Sequence, residues 1–359
     1  MLVEFYFPQS LSQARLDRYL AGGWFRSGPS MFRAQVLCLG GGVYSVVNIR
    51  IPLEGYKLSK SLRRIRRRND PQFRVEIGPV KIDEQREVLY RHHKARFKGF
   101  IFDTLEEFLY AGQSYLLFDT RELRVYDGEH LAAVSYFDTG KQGLASLLGL
   151  YDPAYSRRSL GMYTMLREIQ FAQEQGMRFY YPGYVLQGYD GFSYKLRLGH
   201  AQYYNWQGRW RPMERLGEEV FVVEQLREQL EQMAAALQKA GVPFSHQYYP
   251  FFTIGYLGMT DEDFMRCVAY LSCYPGQISD DRMLIIEYVI EDQLFTLSIA
   301  YSTDAYREYM TAEFSEDAFE DGTYMTDLLV REEILFWDRN PERVVQHLMA
   351  FFETWEDAA

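Results

Sequence analysis

The chain has 359 residues, of which 47% are hydrophobic and 25% are charged, and its formal net charge at pH 7 is -10. A chain of this length usually folds into two domains, and this composition is typical of folded globular proteins, which excludes a largely disordered chain. The sequence shows neither the ~20 consecutive apolar residues of a membrane-spanning helix nor a secretory signal pattern, so we expect a cytoplasmic protein with no membrane partner.

Charge is distributed unevenly along the chain. Residues 1–200 contain 28 lysines and arginines against 20 acidic residues, whereas residues 201–359 contain 11 against 29. The first part predicts contact with an anionic partner such as RNA, although two ordinary solvated surfaces would give the same counts. The sequence therefore indicates a basic working region followed by an acidic one.

The first predicted elements are a short helix within residues 11–25, ended by Gly22-Gly23, and a strand at residues 44–51, where polarity alternates. The next helix, at residues 60–68, is the most basic in the chain. Its apolar residues Leu62 and Ile65 share one face. Asn69-Asp70-Pro71 ends this basic helix.

Residues 83–111 have a helical pattern that includes Arg91 and His93. Residues 122–126 and 131–138 alternate in polarity on either side of Asp127-Gly128, which predicts a β-hairpin. Residues 143–150 are almost entirely apolar, which predicts a buried central strand.

A turn, a helix and a strand follow. Residues 151–153, Tyr-Asp-Pro, form the turn, and apolar residues at helical spacing then predict an amphipathic helix that Ser156 or Ser159 can cap. Residues 178–186 predict a strand that is interrupted at Pro182-Gly183.

The pattern changes in the last third of the chain. Residues 218–240 predict a helix that connects two domains. Apolar runs at residues 283–290 and 293–301, with helical patterns at residues 261–272 and 341–355, predict a small α+β domain.

Residues 126–186 contain a series of short motifs. In chain order these are Asp138, Tyr151-Asp152-Pro153, Ser159-Leu160-Gly161, Tyr163, Arg167-Glu168 and Gly183-Tyr184. With these motifs the segment resembles the C-terminal region of arginyl-tRNA protein transferases, a family that includes bacterial aspartate/glutamate leucyltransferases. The resemblance continues through Tyr194-Lys195 to Trp206 or Trp210, and it includes residues 23–28 and 58–61 upstream. It covers most of residues 20–210.

The resemblance implies an α+β fold, namely a GNAT-like acyltransferase mixed sheet with flanking helices. In this fold two strands of the sheet splay apart, and the start of the helix that follows binds the donor substrate. With the element pattern, the resemblance divides the chain into four parts. These are an N-terminal region with the basic helix (1–75), a GNAT-like aminoacyltransferase domain (76–212), a linker helix (213–243) and an acidic α+β domain of unknown role (244–359).

The chain departs from the family at its cysteines. Family members carry a cysteine cluster near the N-terminus, whereas this chain has only Cys38 there, with Cys267 and Cys273 far downstream. The three fit neither a disulfide framework nor a paired zinc motif, so we expect reduced thiols and no metal.

To transfer an amino acid from tRNA, an enzyme has to position the ester and the amine more than it has to activate the ester. Because the aminoacyl ester is already activated, we expect no cofactor, and charged tRNA is the co-substrate. The acceptor α-amine has a pKa of about 7.7 to 8.0, so a nearby proton acceptor would help it react. The catalytic candidates are Asp152, Tyr151 and Tyr184, although an Asp-Pro turn and buried tyrosines also have structural explanations.

Further candidates bind the substrates. Backbone N–H groups at a helix start suit a phosphate or an oxyanion, although an ordinary capped helix has the same sequence. The substrate-binding candidates are Ser159, Leu160, Gly161, Tyr163, Gly183, Tyr194 and Lys195. Because RNA affinity comes mainly from positive charge, the tRNA-binding candidates are Lys60, Arg63, Arg64, Arg66, Arg67, Arg68, Arg91, His93, Arg157 and Arg158. The pair Arg167-Glu168 is assigned no catalytic role.

The predicted function is transfer of arginine or leucine from charged tRNA to the N-terminal α-amine of acceptor proteins or peptides, with acidic N-termini, as an N-degron tagging step. No DNA partner is expected. Two alternatives are an acyl-CoA-dependent GNAT N-acyltransferase and a non-catalytic module that binds tRNA or protein. The segment Arg157–Gly161 has a single glycine, which is poor for wrapping a pyrophosphate and favours tRNA as the donor.

Overall fold

The computed structural model describes residues 2–39, 42–97, 101–258, 261–273, 282–304 and 324–356. The chain divides into two compact units. The main unit consists of Phe5–Arg33 and Val46–Glu219, and the second unit consists of Met1–Glu4, Ala34–Ser45 and Val220–Ala359. The four-part division drawn from the sequence stays a prediction.

The described residues form both strands and helices, which confirms the α+β prediction. The strands are β1 (Val3–Tyr6), β2 (Phe25–Ser27), β3 (Ser30–Ala34), β4 (Val36–Leu39), β5 (Gly42–Pro52), β6 (Arg74–Pro79), β7 (Thr120–Asp127), β8 (His130–Thr139), β9 (Gly143–Tyr151), β10 (Phe179–Leu186), β11 (Gln202–Asn205), β12 (Arg209–Pro212), β13 (Phe244–Tyr248), β14 (Ala269–Cys273), β15 (Arg282–Val289), β16 (Leu294–Thr303) and β17 (Leu328–Asp338).

The α-helices are α1 (Gln13–Ala21), α2 (Lys60–Asn69), α3 (Glu84–Lys94), α4 (Leu105–Tyr110), α5 (Leu160–Glu174), α6 (Val222–Lys239) and α7 (Pro341–Glu356). Short 3-10 helices occur at Pro153–Arg158, Asp190–Leu198, Met213–Glu218 and Pro250–Tyr256. Among the residues that the structure describes, none of the helices combines the length and the apolar character needed to cross a membrane.

A mixed sheet organises the main unit. Its strands follow the order β12-β11-β5-β10-β9-β8-β7-β6. Neighbours along this path are antiparallel except for β9 and β10, which are parallel. The predicted hairpin is confirmed as β7 and β8, which join at Asp127 and His130.

The parallel strands β9 and β10 are neighbours only at their start. Three residue pairs connect them, ending at Tyr181 opposite Ala145. Beyond these pairs β9 continues beside β8 and β10 continues beside β5, and the register of β10 against β5 shifts between Tyr180 and Gly183. Pro182 lies inside this irregularity, where its missing N–H does not interrupt a regular ladder. The two strands therefore separate in the middle of the sheet.

Two helices cover one face of this sheet. α5 contributes Leu166 and Ile169 to the main core cluster, and α2 contributes Leu62 and Ile65, as its predicted apolar face requires. These residues pack with buried side chains of the strands, including Phe137 of β8. Burial of this kind contributes roughly 25 cal/mol per Å² of apolar surface, so the core fixes both helices against the sheet.

Two local predictions for the helices of this region are wrong. The predicted helical run at residues 83–111 is wrong as one element, because α3 and α4 are separate helices, each with its own N-cap, Asp83 and Thr104. The prediction that Ser156 or Ser159 caps the next helix is also wrong. Ser159 occupies the cap position of α5 with φ 56° and makes no side-chain cap.

The second unit contains a five-stranded antiparallel sheet of order β13-β14-β15-β16-β17, with helices α6 and α7. The predicted helix at residues 341–355 is confirmed, but the helix predicted at residues 261–272 is wrong. Residues 269–273 form β14, whose five residues are all buried, so pairing with two strands outweighs the local helical spacing. The three cysteines are free thiols, as expected.

Candidate active site

A cavity of about 740 Å³ lies in the main unit, at the point where β9 and β10 separate. Its lining comes from β9, β10, the start of α5, α3 and the 3-10 helix Asp190–Leu198, and it is mostly apolar and aromatic. A concave, largely apolar cavity with a few polar groups is the usual form of a substrate site.

Most of the catalytic and substrate-binding candidates from the sequence lie on this cavity. The candidates in its lining are Tyr151, Ser159, Leu160, Gly161, Gly183, Tyr184, Tyr194 and Lys195. The structure therefore brings together residues that are up to 44 positions apart in the sequence. Their chemical roles stay predictions.

Asp152 does not belong to the cavity lining. Its Oδ1 accepts a hydrogen bond from the N–H of Ala154 at 2.9 Å, and its Oδ2 lies 2.8 Å from Nε2 of His130. Burial acts to raise the pKa of Asp152, but these two contacts outweigh burial and the pKa is lowered. The carboxylate thus caps the 3-10 helix Pro153–Arg158, which is the structural explanation noted for the Asp-Pro turn.

Tyr163 also lies outside the lining and is fully buried. Its hydroxyl donates to Oδ1 of Asp70 at 3.1 Å and accepts from the guanidinium of Arg167 at 3.1 and 3.2 Å. Tyr163 therefore connects α5 to the residue that follows α2, and its contacts are those of a core residue.

The first turn of α5 faces the cavity. Leu160, Gly161 and Met162 line it, and the first N–H groups of a helix have no partner within the helix. A Cβ at Gly161 would meet no atom within 4 Å, which shows that the space beside it is open. These N–H groups can therefore donate to a negatively charged oxygen in the cavity.

The two tyrosine candidates differ in their surroundings. The hydroxyl of Tyr151 accepts a hydrogen bond from Nη1 of Arg96 at 3.1 Å. Burial raises the pKa of Tyr184 to about 12, so its hydroxyl keeps its proton at pH 7. Tyr184 can therefore donate a hydrogen bond to a substrate but cannot accept a proton from one.

Lys195 places a cation in the cavity wall. Its Nζ donates to the carbonyl of Tyr184 at 2.9 Å and lies 5.1 and 4.8 Å from the ring centroids of Tyr184 and Phe192. Burial lowers the pKa of Lys195 to about 8. Within the described part of the chain, no carboxylate forms an ion pair with this ammonium, so its charge is balanced only by the carbonyl dipole and the aromatic rings.

Glu168 is a cavity residue that the sequence reasoning missed. It is 0% exposed, its Oε2 accepts a hydrogen bond from the Tyr180 hydroxyl at 2.7 Å, and burial raises its pKa to about 7. The signal was present in the sequence, because Glu168 lies on the same face of the predicted helix as Met165 and Ala172. A carboxylate on an apolar helix face is costly unless it is paired or functional.

Asp138, one of the positions that carry the resemblance, belongs to a structural network. Its Oδ1 accepts hydrogen bonds from Nη1 of Arg26 at 2.9 Å and from the Thr120 hydroxyl at 2.6 Å. Arg26 also donates to the carbonyls of Gly28 and Leu109. Both partners of this ion pair are buried, and their bonds hold the cavity wall that Arg26 helps to form.

The basic helix α2 exposes most of its charge. Lys60, Arg63, Arg64, Arg67 and Arg68 are exposed, as is Arg157, whereas Arg66 and Arg158 are half-buried. The far end of the helix is fixed to the start of α5, since Nη2 of Arg68 donates to the carbonyl of Arg158 at 2.6 Å. The positive surface therefore adjoins the residues where the cavity wall begins.

The two remaining tRNA-binding candidates have different surroundings. Arg91 forms an ion pair with Glu84 at 2.6 Å on the surface of α3. His93 lines the cavity, and burial lowers its pKa to about 4. His93 is thus neutral at pH 7 and adds no positive charge to the surface.

Comparisons with known proteins identify the family of this chain. Residues 82–205, which lie in the main unit, match the family described as arginine-tRNA-protein transferase, C terminus. An aspartate/glutamate leucyltransferase of Leptospira interrogans is 26% identical over 204 residues, which cover 55% of this chain and 77% of the relative. Enzymes of the same name are 27% identical in Stenotrophomonas maltophilia, covering 53% and 77%, and 30% identical in Xanthomonas euvesicatoria, covering 45% and 68%. The chain therefore belongs to the arginine-tRNA-protein transferase family and is an aminoacyltransferase.

Proposed function

We propose that this enzyme transfers leucine from leucyl-tRNA to the α-amine of proteins whose first residue is aspartate or glutamate. The names of the relatives support leucine as the donor's amino acid and acidic residues as acceptors. The product carries a new N-terminal leucine, in keeping with the N-degron tagging step that the family resemblance implies. The partners are thus charged tRNA and a protein with a free N-terminus, and the reaction takes place in the cytoplasm.

The observation that carries this proposal is the opening between β9 and β10, with the first turn of α5 beside it. A mixed sheet whose parallel strands separate next to a helix start supports a GNAT-like acyltransferase fold. The ester and the amine would meet in this opening, and the N–H groups of α5 would donate to the oxyanion that forms during transfer. An aminoacyl ester is already activated, so the proposed reaction uses no cofactor or metal.

The lining of the cavity supports an apolar amino acid as the transferred group. Leu147, Leu148, Met162 and Met165 contribute aliphatic and thioether surface to it. Burying a leucine side chain against such surface contributes about 1.5 to 3 kcal/mol. An arginine side chain would instead have to lose the hydration of its charge.

Lys195 supports an acidic acceptor. Its ammonium lies in the cavity wall without a described carboxylate partner. A carboxylate from the acceptor's first side chain would provide that partner, in a place where burial makes a charge-assisted hydrogen bond stronger than it is in water. This interaction would distinguish aspartate and glutamate from neutral first residues.

The exposed face of α2 supports tRNA as the carrier. The C-terminal end of this helix, at Arg68 and Asn69, contacts the carbonyl of Arg158 at the beginning of the cavity wall. Phosphate contacts from a basic face fix the position of an RNA and supply most of its affinity.

The direct test uses the purified protein, peptides that begin with Asp, Glu, Asn or Ala, and three labelled donors: leucyl-tRNA, arginyl-tRNA and acetyl-CoA. We expect label from leucyl-tRNA in the Asp and Glu peptides. Label from arginyl-tRNA alone would overturn leucine as the transferred amino acid. Label from acetyl-CoA alone would overturn tRNA as the donor and favour the acyl-CoA alternative, and no transfer from any donor would contradict the proposal as a whole.

A further inference from the structure

The two oxygens of the Glu168 carboxyl group have different surroundings. Oε2 accepts the hydrogen bond from Tyr180, but Oε1 is buried and has no hydrogen-bond partner among the described residues. Nearly all buried polar atoms in native proteins are paired, so an unpaired carboxyl oxygen in a cavity wall requires an explanation. The hydroxyl of Ser135, also in the wall, is buried and close enough to Glu168 to lower its pKa.

Ser146 lies near this carboxyl group in the cavity wall. It is the first residue of β9 beyond the three pairs that join β9 to β10, it is half-buried, and it lines the cavity. Its hydroxyl is close enough to act on the ionisation of both Glu168 and Tyr180. Glu168 has no exposed surface whereas Ser146 is half-buried, so Ser146 is the more accessible of the two residues to an amine in the cavity.

We infer that Glu168 is the final proton acceptor for the acceptor's α-ammonium group, and that the proton reaches it through the hydroxyl of Ser146. Ser146 would be the catalytic residue, since it touches the amine, and Glu168 would act through it. The inference rests on the proposed transfer and assigns its proton-transfer step.

Each proton that moves in this step has a donor and an acceptor. The α-ammonium gives one proton to Oγ of Ser146 while the hydroxyl proton of Ser146 passes to Oε1 of Glu168. The neutral amine then forms its bond to the ester carbonyl carbon, and the bond from that carbon to the ribose oxygen of tRNA breaks. The ribose oxygen takes the second proton of the attacking nitrogen, and Glu168 later releases its proton to solvent.

The affinities of the two groups for a proton are closely matched. A free α-amine has a pKa of about 7.7 to 8.0, and burial, partly offset by Ser135, Tyr180 and Ser146, holds the pKa of Glu168 at about 7. An acceptor with a pKa near the working pH is the most effective general base. The two oxygens of Glu168 also have different roles. Oε2 accepts the hydrogen bond from the Tyr180 hydroxyl, and Oε1 is left to accept the proton.

Among the residues that the structure describes, the groups that act on the titration of Glu168 are uncharged at pH 7. The groups that act on it are Ser135 of β8, Ser146 of β9 and Tyr180 of β10, and Glu168 in turn raises the pKa of Tyr194, which follows β10. Burial raises the pKa of both tyrosines, so they are neutral at pH 7. The pH dependence of transfer around pH 7 should therefore report Glu168.

The test compares the wild-type enzyme with Glu168→Gln and Ser146→Ala in single-turnover transfer of leucine to an Asp peptide, from about pH 6 to about pH 9. The wild-type rate should rise with pH, with its midpoint near pH 7, the pKa of Glu168. Both variants should lose ~10²- to 10⁴-fold at pH 7 and much less at pH 9, where the amine is already neutral. Glu122→Gln is the matched control, because Glu122 is a buried glutamate outside the cavity lining, and its pH profile should keep the wild-type shape.

Two outcomes would overturn the inference: variants whose rate follows the wild-type pH profile, or variants whose loss is the same at every pH, as a purely structural defect would give. Thermal unfolding of each variant shows whether it folds, and if Glu168→Gln does not, the profile of Ser146→Ala decides. Failure of the proposed transfer itself looks different, since the wild-type enzyme would then move no leucine at any pH.

Discussion

The side-chain amide of Asn69 donates a hydrogen bond to the backbone carbonyl of Arg158, at 3.0 Å. Asn69 is the last residue of α2 and is fully buried, and Arg158 immediately precedes Ser159, where the chain turns into α5. Because Arg68 donates to the same carbonyl, two adjacent residues fasten the basic helix to the beginning of the cavity wall. The positive surface and the proposed reaction site are therefore held at a fixed separation within the main unit.

The first prediction concerns this surface. Changing Arg63, Arg64 and Arg67 together to glutamate should weaken tRNA binding by at least ~100-fold near physiological salt and reduce the dependence of log affinity on log salt by roughly 2 to 3. The measurement is a filter-binding or gel-shift titration at several salt concentrations. The control makes the same charge change at three exposed arginines of the second unit, Arg227, Arg339 and Arg343. If both triple variants lose the same affinity for tRNA, the result would count against a specific binding surface on α2.

The second prediction concerns Lys195. Lys195→Met should lower kcat/KM for peptides beginning with Asp or Glu by ~10- to 100-fold, about the value of a charge-assisted hydrogen bond, and leave Ala peptides nearly unchanged. The ammonium loses its charge as the pH rises through about 8, so the preference of the wild-type enzyme for acidic peptides should decline above that pH. Lys195→Arg keeps a cation and should keep part of the preference. An unchanged Asp-to-Ala ratio in Lys195→Met would remove Lys195 from acceptor recognition.

The third prediction concerns the hydrogen bond between Tyr180 and Glu168. The Tyr180 hydroxyl stabilises the ionised carboxylate, so Tyr180→Phe should raise the pKa of Glu168 by about one unit, equivalent to roughly 1.4 kcal/mol. The transfer rate should then fall at pH 7 and recover at higher pH. Tyr203→Phe is a suitable comparison, since Tyr203 is a buried tyrosine that donates to Glu219 at 2.6 Å outside the cavity lining. A pH midpoint that does not move in Tyr180→Phe would separate Glu168 from the proton transfer.

The fourth prediction concerns the backbone at Ser159. With φ 56° this residue occupies the left-handed region, which costs a non-glycine residue roughly 1 kcal/mol. Ser159→Gly should therefore raise the free energy of unfolding by about 0.5 to 1 kcal/mol, as measured by denaturant titration. Ser159→Ala retains the strain, so it should show no such gain, and an equal gain in both variants would mean that the serine hydroxyl, not the backbone, is responsible.

The elements that the sequence predicts well are those decided by neighbouring residues. Asp127-Gly128 between alternating runs predicts the β7–β8 hairpin, and Leu62 and Ile65 on one face predict α2 and its buried side. The errors have non-local causes. β14 depends on pairing with β13 and β15, which come from before and after it in the chain, and this pairing outweighs a helical spacing of apolar residues.

Prediction of the candidate site from the sequence has the same limit. The residues around the cavity could be recognised by their resemblance to a family motif, but the separation of β9 from β10 depends on which neighbour each strand keeps, and those neighbours, β8 and β5, are far apart in the sequence. Glu168 was assigned no role because an arginine–glutamate pair on a helix suggests a surface ion pair. Only the packing of α5 against the sheet shows that the carboxyl group points inward, toward Tyr180.

The division of the chain into units has a consequence for how this protein can change. Residues 34–45 belong to the second unit, where Val36 is fully buried and the N–H of Val223 donates to the hydroxyl of Ser45 at 3.3 Å. A protein shortened after Glu219 would keep residues 34–45 but lose Val223 and the rest of that unit. Apolar side chains of this segment, such as Val36, would then lose the unit in which they are buried. The acidic C-terminal part is therefore not a removable tail, because the unit to which it belongs also contains residues 34–45 from the N-terminal part of the sequence.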